Sequence, residues 1–334
     1  MKLIPLSILA AAAATGLASA QTTAYTSPVG YVSLGDTTPG QPAVKANTDV
    51  WISIPLAKPA VYAGTISVVS GNQVTLTGTP NLGNLISVPH TLTITSGIGV
   101  GIIALITSNT TNSVTVSVAP GDSLSGVASP DSVKISPAWT VLGFGGNTLP
   151  TGTTLYTYPT SASLNPAADG VYEWSGTDWI DNVNTGEPAN NDVLYPGETL
   201  VLRNPTNTPV TSLIITGEVP TANSRIVVAA NGPAGADNPI SFFSPVGEPI
   251  GTSGLAAFAQ NGDTIYGYDN GLPGVNKAAN SVHEFVNGDW VDQVNTGEPD
   301  NTFPVGAGQG FILRRPGTSA QAIWNNQQDY LSLP

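Results

Sequence analysis

Asp178, Asp181 and Glu187 fall within ten residues of one another, and the same trio returns 111 residues later as Asp289, Asp292 and Glu298. Such clustered carboxylates are hard oxygen ligands and make Ca²⁺ the one cofactor the sequence suggests. Their spacing departs from the twelve-residue Asp-x-Asp-x-Asp-Gly loop. Carboxylates in a Gly/Pro-rich segment also serve as turn formers without any metal, and both readings stay open. A glycosidase pair would need two carboxylates on opposing walls of a cleft, which nothing in this spacing indicates. The aromatics Trp179/Trp290, Tyr156/Tyr266 and Tyr158/Tyr268 lie close to these acids. Exposed, they would form stacking platforms for a glycan; buried at strand spacing, they would be core.

Other chemistry is scarce. Gly97-Ile-Gly-Val-Gly101 has no third glycine in register and runs into Ile102-Ile-Ala-Leu-Ile106, so it reads as a bent strand rather than a dinucleotide loop. His90 and His283 are the only histidines, and neither has a Gly-x-Ser-x-Gly elbow nearby. Without cysteine there is no disulfide, no thiolate nucleophile and no Cys-ligated metal. No catalytic residue and no organic cofactor are assigned on these grounds.

The first twenty residues have the parts of an export signal: Lys2, an apolar stretch Leu3–Leu17, and Ala18-Ser19-Ala20 for cleavage. The expected mature chain starts at Gln21, is secreted to the periplasm, outer surface or exterior, and has no later apolar run long enough to span a bilayer. It keeps 22 acidic and 8 basic residues, a net charge of −14. Nucleic acid and anionic membranes are therefore poor partners.

Short runs of Val, Ile, Thr, Leu and Tyr are bounded by Gly, Asn, Asp or Pro throughout, which predicts an all-β fold. Expected strands include 64–70, 73–77, 91–95, 113–118 and 199–203, with short helical pieces only near 255–260 and 276–280. Asp178-Trp-Ile-Asp-Asn-Val-Asn-Thr-Gly-Glu-Pro188 and Asp289-Trp-Val-Asp-Gln-Val-Asn-Thr-Gly-Glu-Pro299 agree at nine of eleven positions. Upstream, Leu155–Tyr158 matches Ile265–Tyr268 at an offset of 110, and Pro55–Pro59 matches Pro245–Pro249 at 190. The difference of about 80 residues implies an insertion in the first copy. The expected organisation is two homologous β-sandwich-like modules: a discontinuous first (21–62 and 139–212) and a second (213–334), with a small β-barrel (63–138) inserted in the first.

Within each copy, Asn287-Gly288 and Ser175-Gly176-Thr177 read as hairpin turns that bring Phe285 against Trp290 and Trp174 against Trp179. Cross-strand aromatic pairs of this kind stabilise a sheet by roughly 0.2–1 kcal/mol. Arg203 and Arg314 end the following strands, and each is expected to pair with a carboxylate of its own module, such as Asp181/Asp292 or Glu187/Glu298, locking turn to strand.

Pro28-Val-Gly-Tyr-Val32, Ile54-Pro-Leu56, Ser96-Gly97 with Gly101, Ile106-Thr-Ser-Asn-Thr110, Trp139-Thr140 before Leu142-Gly143, and Gly308-Gln-Gly-Phe-Ile-Leu-Arg-Arg-Pro316 together resemble a family of exported proteins of unknown function, paralogous in Verrucomicrobia-like bacteria. The resemblance implies no enzyme activity and supplies no catalytic residues. The expected function is a non-enzymatic structural or adhesive component of the cell envelope or extracellular matrix, contacting itself or other envelope β-proteins. A polysaccharide-binding module is the alternative, and a glycan-active hydrolase a distant third.

Overall fold

Alternation of β-branched residues with Thr and Ser, cut by Gly, Asn and Pro, produces strands and turns nearly everywhere. A computed structural model describes residues 27–145, 148–159, 163–184, 186–230, 234–317, 321–327 and 329–331. The expected leader, 1–20, lies outside the described residues. Strand takes 40% of the structure and helix 3%, which makes the class all-β as expected.

The chain begins with β1 (Val29–Ser33), β2 (Thr48–Ile52), β3 (Tyr62–Ser70), β4 (Gln73–Leu76), β5 (His90–Ile94), β6 (Ile103–Asn109), β7 (Ser113–Ser117) and β8 (Ser132–Pro137). It continues with β9 (Trp139–Thr140), β10 (Thr154–Thr157), β11 (Gly170–Trp174), β12 (Trp179–Asp181), β13 (Val193–Leu194), β14 (Leu200–Asn204), β15 (Ile214–Glu218) and β16 (Ser224–Val228). The remainder comprises β17 (Ala236–Ile240), β18 (Glu248–Pro249), one helical turn Gly254–Phe258, β19 (Thr264–Gly267), β20 (Ser281–Val286), β21 (Asp289–Asp292), β22 (Pro304–Val305), β23 (Phe311–Arg315) and β24 (Ala322–Asn326).

β3 to β8 close into an antiparallel six-stranded barrel of order β3-β4-β7-β6-β5-β8. Its interior is filled by alternate residues such as Ile66, Val74, Leu92, Ile94, Val114 and Ile135, all essentially buried. Register shifts between Ile66 and Val68 and between Ile106 and Ser108 bend two of the strands, which helps so few strands close. Gly97-Ile-Gly-Val-Gly101 is a turn between β5 and β6, not the expected bent strand. Gly97 and Gly101 take φ of 77° and 91°, reversing the chain where a β-branched residue could not.

Outside the barrel stand two five-stranded sheets, β12-β11-β10-β14-β2 and β21-β20-β19-β23-β17. Their pairings correspond: Tyr156 lies opposite Val201 and Tyr266 opposite Ile312, while Arg203 faces Asp49 and Arg314 faces Asp237. Each has its own apolar core, one around Val50, Trp174 and Trp179 and the other around Phe285, Trp290 and Trp324. The ribbon β1·β15 packs Val32, Leu34 and Ile215 onto the first core.

The sheets meet through their β2 and β17 sides in a reciprocal seam. Ser53 N–H donates to Gly308 O and Ser241 N–H to Gly197 O, each at 2.9 Å. Bridges Ile52–Gln309 and Glu198–Ile240 continue the exchange. Each edge strand is also capped by a loop of the other half. Asp49 N–H donates to Gly274 O at 2.9 Å, and Asp237 N–H to Ser163 O at 3.0 Å. The Asn276 and Asn165 N–H groups bond back to the Asp49 and Asp237 carboxylates at 2.6 and 2.8 Å.

The same carboxylates take Arg203 and Arg314 bidentately. Arg203 Nε and Nη2 lie 2.7 and 2.8 Å from Asp49, and those of Arg314 lie 2.7 and 2.9 Å from Asp237. This corrects the expected pairing with Asp181/Asp292 or Glu187/Glu298, because the residue directly across the ladder on the same face is nearer than any turn carboxylate. The second helical expectation also fails: 276–280 is irregular, since Asn276 is held at φ 50° by its bond to Asp49, whereas Gly254–Phe258 does form a turn of helix.

Asp49 and Asp237 are 2% and 1% exposed, so removing either would strand a guanidinium and the Asn276 or Asn165 N–H of the capping loop without their anion. Asp49→Ala and Asp237→Ala are each expected to cost about 3 kcal/mol or more in chemical denaturation. Substitution of the partly exposed Asp178 should cost far less, and equal losses at the three sites would refute this account of the seam.

Candidate functional site

The described residues of the doubled segment take corresponding places in both sheets. In the second, Asn287 and Gly288 sit at φ 52° and 102°, the paired positive values of a tight hairpin turn. The hairpins set Trp174 opposite Trp179 with ring centroids 5.5 Å apart, and Phe285 opposite Trp290 at 5.1 Å. Trp179 and Trp290 are both 0% exposed. That corrects their reading as glycan platforms, since a fully buried indole offers no face to a sugar.

After the hairpin, Asp181 turns the chain by accepting the N–H groups of Val183 and Asn184 at 3.0 Å each and the Asn184 amide at 3.1 Å. Asp292 repeats this with Val294 and Asn295 at 2.9 and 3.1 Å. Burial opposes ionisation of Asp181, but these donors outweigh it and hold the carboxyl below its ordinary value. At Asp292 the backbone N–H groups of Asn295 and Val294 are the main cause of the same downward shift.

Asp178 and Asp289 accept the amides of Asn190 and Asn301 at 2.6 and 2.7 Å, while those asparagines receive the Trp179 and Trp290 N–H groups at 2.9 Å. Glu187 and Glu298 contribute backbone carbonyls to Asp181 and Asp292 N–H at 3.0 Å, with exposed side chains. The trio is thus spread along a turn. Among the described residues no three Asp, Glu or His side chains converge as metal ligands.

The loops end at the outer strands β12 and β21, on the side of each sheet away from the seam. Each raises one apolar side chain into solvent, Val183 and Val294, both 52% exposed. Sequence reasoning passed over these valines because it read the segment for its acids and aromatics.

The remaining tyrosines lie at the seam. Tyr268 stacks on Trp51 with centroids 3.7 Å apart and planes 5° from parallel, and Tyr158 lies 6.2 Å from the same indole. Tyr268 is only 9% exposed, so its ring is occupied by Trp51 rather than open to a glycan. Tyr156 and Tyr266 lie beneath the Arg203 and Arg314 guanidinium groups at 5.1 and 4.9 Å. Beside the seam an open groove is lined by Tyr31, Asp36, Asp269, Asn270 and Gln309. Of its two tyrosines, Tyr268 is the ring stacked on Trp51, while Tyr31 is 73% exposed and is not among the candidate binding residues read from the sequence.

Neither histidine joins a catalytic arrangement in the described residues. His90 Nδ1 lies within bonding distance of the Leu85 and Val88 carbonyls, and buried His283 sits 3.3 Å from Asp300. A different group is strongly perturbed. Burial pushes the Glu198 carboxyl up to about 8, with Asp169 adding to the rise and the Tyr195 N–H opposing it. Glu198 lines a cavity at the barrel–sheet junction with Tyr195, Asp122, Arg225 and Asn238, where Arg225 is already paired with Asp122 at 2.8 Å. At the matching place in the other copy stands Gln309, which accepts the Gly306 N–H as Glu198 accepts that of Tyr195, both at 3.3 Å.

A carboxyl raised when folded gives stability that is full below its unfolded value, near 4.5, and lost as pH climbs through about 8. Glu198→Gln should therefore raise the melting temperature at pH 8 and leave it nearly unchanged at pH 4; the opposite ordering would show that Glu198 is ionised when folded. Asp181 and Asp292 behave conversely, contributing above the ordinary carboxyl value of about 4 and failing as pH falls through their lowered ones. Asp181→Ala and Asp292→Ala should lower the melting temperature at neutral pH. Excess Ca²⁺ should not shift it, because the carboxylate oxygens already hold N–H donors; a Ca²⁺-dependent rise would overturn that view.

No protein-family model, curated protein or solved structure matches the chain, and no helix among the described residues is long and apolar enough to cross a membrane.

Proposed function

We propose that this is an exported, non-enzymatic structural or adhesive protein that meets its partners through the two copies of the acidic loop. The observation that carries this reading is the paired display of Val183 and Val294, equally exposed on the same stiff turn at the outer edge of each sheet. A loop braced by Asp181 or Asp292 loses little conformational freedom on contact, and two copies on one rigid body add avidity without new contacts. The capped β2 and β17 edges are used within the molecule, which leaves the outer loops as the repeated feature free for others.

The polysaccharide-binding alternative keeps one specific support, the open groove with Tyr31 beside Asp36, Asp269, Asn270 and Gln309. Exposed tyrosine flanked by acids and amides is suited to a sugar face and its hydroxyls.

Negative-stain imaging and sedimentation of purified residues 21–334, alone and with isolated envelopes, test the main reading. Chains, lattices or envelope retention are expected, and Val183→Asp with Val294→Asp should abolish them. Monodisperse particles that ignore envelopes would reject it; if such particles instead sediment with insoluble glucan or chitin and lose this on Tyr31→Ala, the groove carries the function.

A further inference from the structure

A narrow cleft runs between the outside of the barrel and the segments that carry Lys58, Leu194 and residues 218–224, away from both loops and the groove. Its floor is the outside of the barrel, where Thr91 pairs with Ser136 and Thr93 with Lys134. Trp139, Leu194, Val219 and Phe243 form apolar walls. The cavity is about 70 Å³ and opens to solvent, which limits an occupant to a small molecule.

Three observations mark the cleft as more than a packing gap. The first concerns charge. Among the described residues every Lys and Arg but one has a carboxylate partner or, for Lys277, backbone carbonyls. The exception is Lys58, half-buried at this cleft, whose ammonium lies 3.9 Å over the Trp139 ring. Trp139 is itself fixed by an indole N–H bond to Leu56 O at 2.7 Å. In a chain with 22 acidic and 9 basic residues, a cation without an anion is a conspicuous exception.

The second is Ser224, which lines the same cleft 4% exposed with a hydroxyl that has no bonding partner. Buried hydroxyls are ordinarily satisfied. The third is Phe243, held at φ 42° on the cleft wall, a conformation that bulky residues rarely adopt and that concentrates at binding sites.

We propose that this cleft binds a small monocarboxylate with an apolar body, its carboxylate against Lys58 and its hydrocarbon against Trp139, Leu194, Val219 and Phe243. Burial already holds the Lys58 ammonium below its ordinary value, and a bound anion would relieve that cost. A single negative charge fits best. Lys134 is occupied by Glu218 at 3.6 Å, and this buried carboxylate would repel a phosphate or a second carboxylate. The mostly apolar lining with a few polar groups is the usual form of a small-molecule site.

Calorimetric titration of the full protein at neutral pH with hexanoate and benzoate, and with hexanamide and benzamide as uncharged analogues, tests the proposal. Saturable one-site binding of at least one acid is expected, with its amide about tenfold weaker or worse. Lys58→Met, which keeps an apolar chain over Trp139, should lose about tenfold in affinity without a fall in melting temperature, and Lys58→Arg should keep most of it. No saturable heat with either acid, equal binding of acid and amide, or full affinity in Lys58→Met would each overturn it. The acid–amide comparison on the unaltered protein remains decisive should a variant misfold.

Discussion

Two buried aspartates hold the larger part of this molecule together. An edge strand carries a row of unmet N–H and C=O groups and is a liability unless something covers it. At β2 and β17 the cover comes from the opposite half, and Asp49 and Asp237 make it specific by joining a bidentate arginine from their own sheet to a backbone N–H from the other. Each carboxylate is desolvated only because both donors are present. Either sheet alone would leave its edge open and its aspartate short of one partner. The two halves are consequently interdependent, and the chain needs no disulfide to keep them so.

The strands, the presence of a small barrel and the aromatic hairpins were legible because each depends on neighbours in sequence. Alternating Val, Leu and Thr marked 73–77, 91–95 and 113–118 as strands, and Asn287-Gly288 announced its turn. What escaped was nonlocal. Arg203 meets Asp49 across 154 positions, and no spacing rule chooses Asp49 over the nearer Asp181. Gly97–Gly101 looked like strand because β-branched residues surround it, yet Gly101 must pass the backbone of Asn223–Arg225, with a Cβ falling 2.7 Å from Asn223 O. Lys58 could not be singled out either, since being unpaired is visible only when every partner has been placed.

Where the halves touch, matching positions differ in a way that packing demands. Thr199 accepts the Phe311 N–H at 3.1 Å and donates to Ile240 O at 2.6 Å, filling the seam from one side. Opposite it stands Gly310, where an added Cβ would lie 2.6 Å from the Thr199 methyl. Two threonines would collide. The same reasoning applies to Trp51, whose N–H is taken by Asn270 Oδ1 at 2.8 Å, whereas Pro239 at the matching place in β17 has no N–H to satisfy.

Away from the seam that pressure vanishes, which explains why the eleven-residue segment reads nearly the same twice. Asp178 bonds to Asn190, Asp181 to Asn184 and Trp179 packs on Trp174; in the second copy Asp289, Asp292 and Trp290 find Asn301, Asn295 and Phe285. All of these partners lie within the segment's own half, so both copies meet one environment and one sequence solves both. Buried Trp179, Trp290, Asp181 and Asp292 are accounted for in this way. Val183 and Val294 are not, because an exposed valine at a loop tip contributes nothing to the turn beneath it. An identical apolar side chain raised on both outer edges is the part of the repeat that folding alone does not require, and it is on this feature that the proposed contact with a partner rests.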